Sequence, residues 1–247
     1  MTKLTAPTKL PAAERLRDPE IAQDPDERTT MFWGQNPPSL VSHHADIAKI
    51  QLDPSVPEAI AIQFETTRNL YLYAWHVYRF YMVAQMHSLA TLELALKQRL
   101  PDKLPQPYQR PKQKRAMLAG LLGYAIDQGL IRNEGFRRWH IAAEHHAKQR
   151  REWAAVKTMI DQQLASMQTD DDEPLVITPD DQRWDLVGVL RESLPQTRND
   201  LAHGSTALTR QVLGDIELVA EIINQLYAES IEQINASISA AKTKLIT

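Results

Sequence analysis

The chain of 247 residues contains no cysteine, which excludes disulfide staples and thiolate metal sites. Glycine is scarce, at 8 residues, and none of it gathers into a phosphate-binding loop or a Gly-x-Ser-x-Gly elbow. No stretch approaches the ~20 apolar residues a membrane-spanning helix needs. The N-terminus is broken by proline and charge and has no apolar signal-peptide core. The expectation is a cytoplasmic protein with no membrane contact. An excess of basic charge is also missing. The net charge is −3, so the whole molecule is not a basic nucleic-acid binder, and any RNA contact must come from a local patch. No convincing metal-ligand set stands out, and no cofactor is expected. His43-His44 lacks partner ligands, and His140, His145 and His146 lack the i, i+4 spacing of helical zinc ligands.

What is present is a helical pattern. Hydrophobic residues make up 43% and charged residues 24% of the chain, enough for a core in a soluble protein. Residues 1–54 hold Pro7, Pro11, Pro19, Pro25, Pro37, Pro38 and Pro54. That density forbids long helices and predicts an extended arm, with Met31-Phe32-Trp33 as its apolar anchor. Ser55-Val56-Pro57-Glu58 reads as a capping box with proline in the first turn. Helical periodicity then runs to Leu100, with a break expected near Asn69. The aromatics Tyr71, Tyr73, Trp75, Tyr78, Phe80 and Tyr81 make its middle a buried central element. His87 reads as a satisfied core histidine and Glu93 as a surface carboxylate.

A linker broken by Pro101, Pro105, Pro107 and Pro111 follows, carrying Lys103, Arg110, Lys112, Lys114 and Arg115. A short helix from Gln113 to Gln128 is closed by Gly129. Asn133 is read as the cap of a long helix reaching about Met167, whose apolar stripe includes Phe136, Trp139, Ala143, Ala147, Trp153, Val156 and Ile160. Its basic portion holds Arg137, Arg138, Arg150 and Arg151, read equally as an RNA-backbone contact or a solvated face. The acidic run Asp170-Asp171-Asp172-Glu173 is a solvated linker. Thr178-Pro179-Asp180-Asp181 reads as the start of the next helix, which Pro195 should kink. A last helix is expected from Thr209 to Lys242, its outer end, with Ile231, Ile234 and Ile238, free to pair with a second chain. No strand is expected beyond a short extension at Val176-Ile177.

One string concentrates polar chemistry: Arg198-Asn199-Asp200-Leu201-Ala202-His203-Gly204. A guanidinium grips phosphate oxygens with a planar fork, and an imidazole moves protons near neutral pH. Together they suit RNA cleavage without a metal. Five helical steps rotate about 500°, so Arg198 and His203 lie roughly 140° apart around the axis. Either the helix ends near His203, or a second copy of the chain completes the site. Gly204 favours a helix end there, which would set His203 at the negative end of the helix dipole, where positive charge is favoured. Arg138 and His145 match a relaxed form of this spacing, but mid-helix and without the Asn and Gly.

The Arg-Asn-x-x-Ala-His string resembles the signature of the HEPN superfamily, all-α domains of which many are metal-independent endoribonucleases in toxin–antitoxin and phage-defence systems. The likeness rests chiefly on residues 182–243 and on the helix ending Leu96-Lys97-Gln98-Arg99-Leu100; the basic helix at about 131–168 looks like an insertion. The resemblance implies an all-α multi-helix bundle over residues 55–247 and a homodimer with two motifs in one cleft. It also implies a catalytic Arg198 and His203, with Asn199 as the polar residue after the Arg; Asn199 and Asp200 are expected to orient the imidazole or the backbone. RNA would be the substrate, and an antitoxin or regulatory protein a partner. The rival reading is a non-catalytic scaffold that binds a partner protein, RNA or a nucleotide, with Arg198 gripping a phosphate and His203 structural.

Overall fold

The computed structural model describes residues 10–31, 38–110, 115–164, 166, 174–204 and 207–228. Within them the protein is an all-α multi-helix bundle without strands. The fold divides into two compact units, Met1–Thr91 with Leu201–Ala220, and Leu92–Asp200 with Glu221–Thr247.

In the first unit the N-terminal residues are not a plain extended arm. They form 3₁₀ turns at Ala12–Glu14 and Pro19–Ile21 and two helices, α1 (Glu27–Thr30) and α2 (Leu40–Ala48). Proline limits their length without preventing them. Asp26 is the anchor instead of Met31, which is exposed; Phe32 and Trp33 lie outside the described residues. Ser39 and Ser42 cap α2 reciprocally. His43 is on this helix and is buried. Its ring stacks on Tyr71 at 4.5 Å, and its Nε2–H donates to the Tyr71 carbonyl at 2.9 Å.

Helix α3 spans Glu58–Tyr73 and α4 spans Phe80–Arg99. Pro57 takes the N-cap position of α3 without a side-chain bond, so the anticipated capping box does not form. The break falls at residues 74–79, not at Asn69. No proline or glycine lies between Glu58 and Arg99; the break is held from outside. The Asp26 N–H donates to the Trp75 carbonyl at 2.9 Å, and the Asp26 carboxylate accepts the Tyr78 N–H at 3.1 Å. Backbone groups that would have continued the helix bond to the arm instead. Tyr71, Trp75, Tyr78 and Tyr81 are buried with Ile60 and Phe64, so the aromatics are core. Val212, Ile216 and Val219 complete this unit's apolar interior.

The second unit holds α5 (Leu118–Asp127), α6 (Arg137–Asp161) and α7 (Leu186–Ala202) as far as Asp200; α8 spans Leu213–Tyr227, to Ala220 in the first unit and from Glu221 in the second. Gly129 (φ +69°) closes α5. Asn133 does not cap α6. It sits in a 3₁₀ turn and its Oδ1 accepts the Val187 N–H at 2.9 Å. With Asp185 Oδ1 accepting the Gly188 N–H at 3.0 Å, it satisfies the first turn of α7. Helix α7 therefore starts at Leu186, later than Thr178. Thr178–Asp181 is a turn closed by the Asp181 carboxylate, which accepts the Thr178 N–H and hydroxyl, each at 2.8 Å. Val176-Ile177 forms no strand; the Val176 carbonyl accepts from Arg150 at 2.7 Å.

Only the first half of the α6 stripe packs. Trp139, Ala143 and Ala147 are buried, whereas Trp153 and Ile160 are 72% and 70% exposed. Helix α8 is described to Tyr227 and buries Ile222, Ile223 and Leu226; Ile231, Ile234 and Ile238 lie outside the described residues. Among the described residues, no helix is long and apolar enough to cross a membrane.

Candidate functional site

Helix α7 carries the motif. Leu190 and Leu194 fix its buried face, and Pro195 lies inside it, where the missing N–H leaves the Arg191 carbonyl without its helical donor. Arg198 falls on the flank of that face, with its side chain 28% exposed. Its Nη2 lies 3.6 Å from Glu93 Oε2, and Glu93 Oε1 accepts from Lys97 Nζ at 2.5 Å. Glu93 is buried, a correction to its reading as a surface group. A buried carboxylate persists only when paired, and here two cations face it. One carboxylate against two cations leaves a net positive charge for an incoming anion. Lys97 sits one helical turn beyond Glu93, an i, i+4 spacing that the sequence displays but that carries no signal of burial.

Asn199 and Asp200 are exposed on the next two positions of α7. Among the described residues neither side chain has a bonded partner that would show it orienting another group.

In the first unit, α7 ends at Ala202. His203 is exposed in the turn that follows. Gly204 has φ +88°, the left-handed conformation a helix C-cap needs, and its N–H reaches the Leu201 carbonyl at 3.3 Å. The helix thus stops at the motif, as Gly204 implied. His87, also in this unit, is half-buried, with Nδ1 2.9 Å from the Thr67 hydroxyl; burial lowers its pKa below the ordinary imidazole value.

The four arginines of α6 are not gathered. At 100° per residue, Arg137, Arg138, Arg150 and Arg151 point about 0°, 100°, 220° and 320° around the axis, and the two pairs lie ~20 Å apart along it. Arg150 is exposed but paired with Asp181: Nε and Nη2 donate to Asp181 Oδ1 and Oδ2 at 3.1 and 2.8 Å. Those bonds, the largest cause, hold the Asp181 carboxyl well below the usual carboxylate range. Arg138 and Arg151 are half-buried and Arg137 is exposed; the Arg137 backbone N–H donates to Glu221 Oε1 at 2.9 Å. The neighbouring histidines also serve the backbone. His140 Nε2–H donates to the Glu134 carbonyl at 2.8 Å and His146 Nδ1–H to that of Asp181 at 3.0 Å. Among the described residues, no three His, Asp or Glu side chains gather as a metal site.

No family model, no curated protein and no solved structure matches this chain. The functional reading therefore rests on these residues.

Proposed function

We propose that the chain is a HEPN-like endoribonuclease that cleaves RNA by metal-independent transesterification, acting as a toxin or phage-defence effector under an antitoxin or regulatory protein. The observation that supports it most is the exposure of the motif's histidine: His203 stands in the turn after α7 ends at Ala202. Arg198 is held at a buried carboxylate that leaves net positive charge, and His203 stands in solvent beyond the last turn. A histidine buried and bonded within its own chain would have favoured the scaffold reading.

In the reaction, the ribose 2′-oxygen attacks phosphorus as a base takes its proton. The bond from phosphorus to the 5′-oxygen breaks, and an acid protonates that oxygen. The products end in a 2′,3′-cyclic phosphate and a free 5′-hydroxyl. A homodimer supplies two copies of His203, one for each proton transfer, and two Arg198 guanidiniums for the charge growing on phosphorus. Asn199 and Asp200 take supporting roles at the same helix end.

The test is cleavage of total RNA in the presence of a chelator, with light scattering to count chains. Wild type is expected to cleave as a dimer. His203→Ala should slow the saturated rate by roughly 10²–10⁴-fold, the range for loss of a general acid–base group. Equal rates for His203→Ala and wild type, or full activity as a monomer, would overturn the proposal.

A further inference from the structure

The linker before α5 is the most basic stretch of the chain. From Arg99 to Arg115 the sequence holds six basic residues and one acidic residue, Asp102, against a net charge of −3 for the whole chain. Buried Leu104 pins this linker, and the 3₁₀ turn Gln106–Tyr108 lies directly on α5. An added Cβ at Gly120 would stand 1.9 Å from the Tyr108 carbonyl oxygen, so glycine is what permits the approach. Arg110 and Arg115 then pair as an isolated antiparallel bridge, with the Arg110 N–H donating to the Arg115 carbonyl at 3.0 Å. Residues paired this way project to one face, and like charges directly opposite are destabilising. Both arginines are exposed, and neither has a partner carboxylate among the described residues. Two cations set side by side, with no counter-charge among the described residues, gain most from an external anion.

Beside the bridge lies a groove of about 450 Å³ whose lining includes Tyr108, Gln109, Arg110, Gly120, Asp127 and Arg191. Arg191 is fixed in a bidentate pair with Asp127 at 2.8 and 2.9 Å, and the Tyr108 hydroxyl donates to the same carboxylate at 2.8 Å. Arg191 and Arg198 are seven residues apart on α7. Seven steps make two turns, so both sit on one edge of the helix about 10 Å apart.

We propose that the Arg110–Arg115 bridge and the groove beside it form a docking site for the phosphodiester backbone of single-stranded RNA, leading the strand along the edge of α7 to Arg198. The inference rests on the ribonuclease reading for its ligand, but its geometry is independent of His203. A repeating anion suits a pair of exposed arginines with Arg198 further along; Arg191, committed to Asp127, lines the route and is not counted as a phosphate contact.

The test uses the full chain carrying His203→Ala, so that RNA is not consumed, and a labelled single-stranded RNA followed by fluorescence anisotropy across a salt series. Arg110→Gln with Arg115→Gln should weaken binding about tenfold and reduce the log–log salt slope by about 1.4, two single-strand phosphate contacts. Lysine at both positions should keep the slope, which guards against a folding artefact. Arg183→Gln, an exposed arginine paired with Asp180 in the same unit, should change nothing. Unchanged RNA affinity and slope in the double glutamine variant would overturn the inference. So would a loss confined to a polyglutamate peptide, which would point to an acidic protein. Arginine-dependent RNA binding with no cleavage by wild type would leave the docking site standing and remove the ribonuclease reading instead.

Discussion

Replacing Asp26 by Asn isolates the contact that breaks the long helical pattern. Asp26 is 2% exposed. Its Oδ1 accepts from the Arg28 N–H at 3.0 Å and Nε at 2.9 Å. Its Oδ2 accepts from Arg28 Nη2 at 2.9 Å and the Tyr78 N–H at 3.1 Å. An asparagine has one acceptor oxygen, so whichever way it turns, its NH₂ meets two donors. Two bonds go, with the charge. Charge-assisted bonds contribute ~1.5–3 kcal/mol each, and breaking a buried pair costs ~3–5 kcal/mol. Arg28 keeps Glu14 at 2.6 Å and some solvent contact, which places the loss at the low end, about 3 kcal/mol. At 2–4 °C per kcal/mol for a chain of this size, Tm should fall by roughly 6–12 °C. The pH dependence gives a second readout. Burial alone would raise the Asp26 pKa, but bonds from Arg28 and the Tyr78 N–H outweigh it and hold it below its ordinary value of 3.8. A depressed carboxyl contributes stability above its unfolded pKa and loses it as pH falls through the folded one. The variant should therefore lose less stability on acidification than wild type. Urea and thermal unfolding followed by circular dichroism measure both; a destabilisation under ~1 kcal/mol, or an unchanged acid slope, would refute the reasoning.

Burial lowers the His43 pKa below its ordinary 6.5, against the opposing bond to the Tyr71 carbonyl, so its stabilisation is complete above 6.5 and declines as pH drops below that; His43→Phe should flatten the urea midpoint between about pH 7.5 and 5.5. Gly120→Ala would gain about 1 kcal/mol in helix propensity, but overlap with the Tyr108 carbonyl should reverse the sign, giving a net loss of about 1–3 kcal/mol in urea melts and weaker RNA binding. Arg150→Gln should lower the urea midpoint and leave RNA affinity and salt slope unchanged, because its guanidinium is committed to Asp181; a slope reduced by about 0.7 would return that arginine to the RNA path. Glu93→Gln should reduce the saturated cleavage rate through a misplaced Arg198, and an unaltered rate would show that the carboxylate does not position it.

The helices were legible where local chemistry dictates them. The end of α7 could be read from Gly204, because a left-handed cap is a property of one residue. The end of α5 could be read from Gly129 for the same reason. The α3–α4 break could not, since its cause is Asp26, some fifty residues away in sequence. Asn133 looked like the cap of the nearest helix, but its amide reaches a helix fifty-four residues on; capping chemistry is visible in a sequence, its target is not. Likewise, Arg198 and His203 were recognisable as reactive types, whereas Glu93 became a site residue only once burial was known. The basic run of α6 read as one patch because position along a helix says less than angle around it.

The bond from Asn133 to the Val187 N–H also has a kinetic meaning. Helix ends normally open first, and exchange their amide hydrogens at low cost. Here the leading turn of α7 is tied to a residue outside it, so that turn cannot fray unless the Asn133 turn lets go as well. The amides of Val187 and Gly188 should then exchange at a rate set by that wider opening. Asn133→Ala should release them to fast exchange while the amides around Leu194 stay protected. The helix that presents Arg198 is in this sense clamped at the end away from His203.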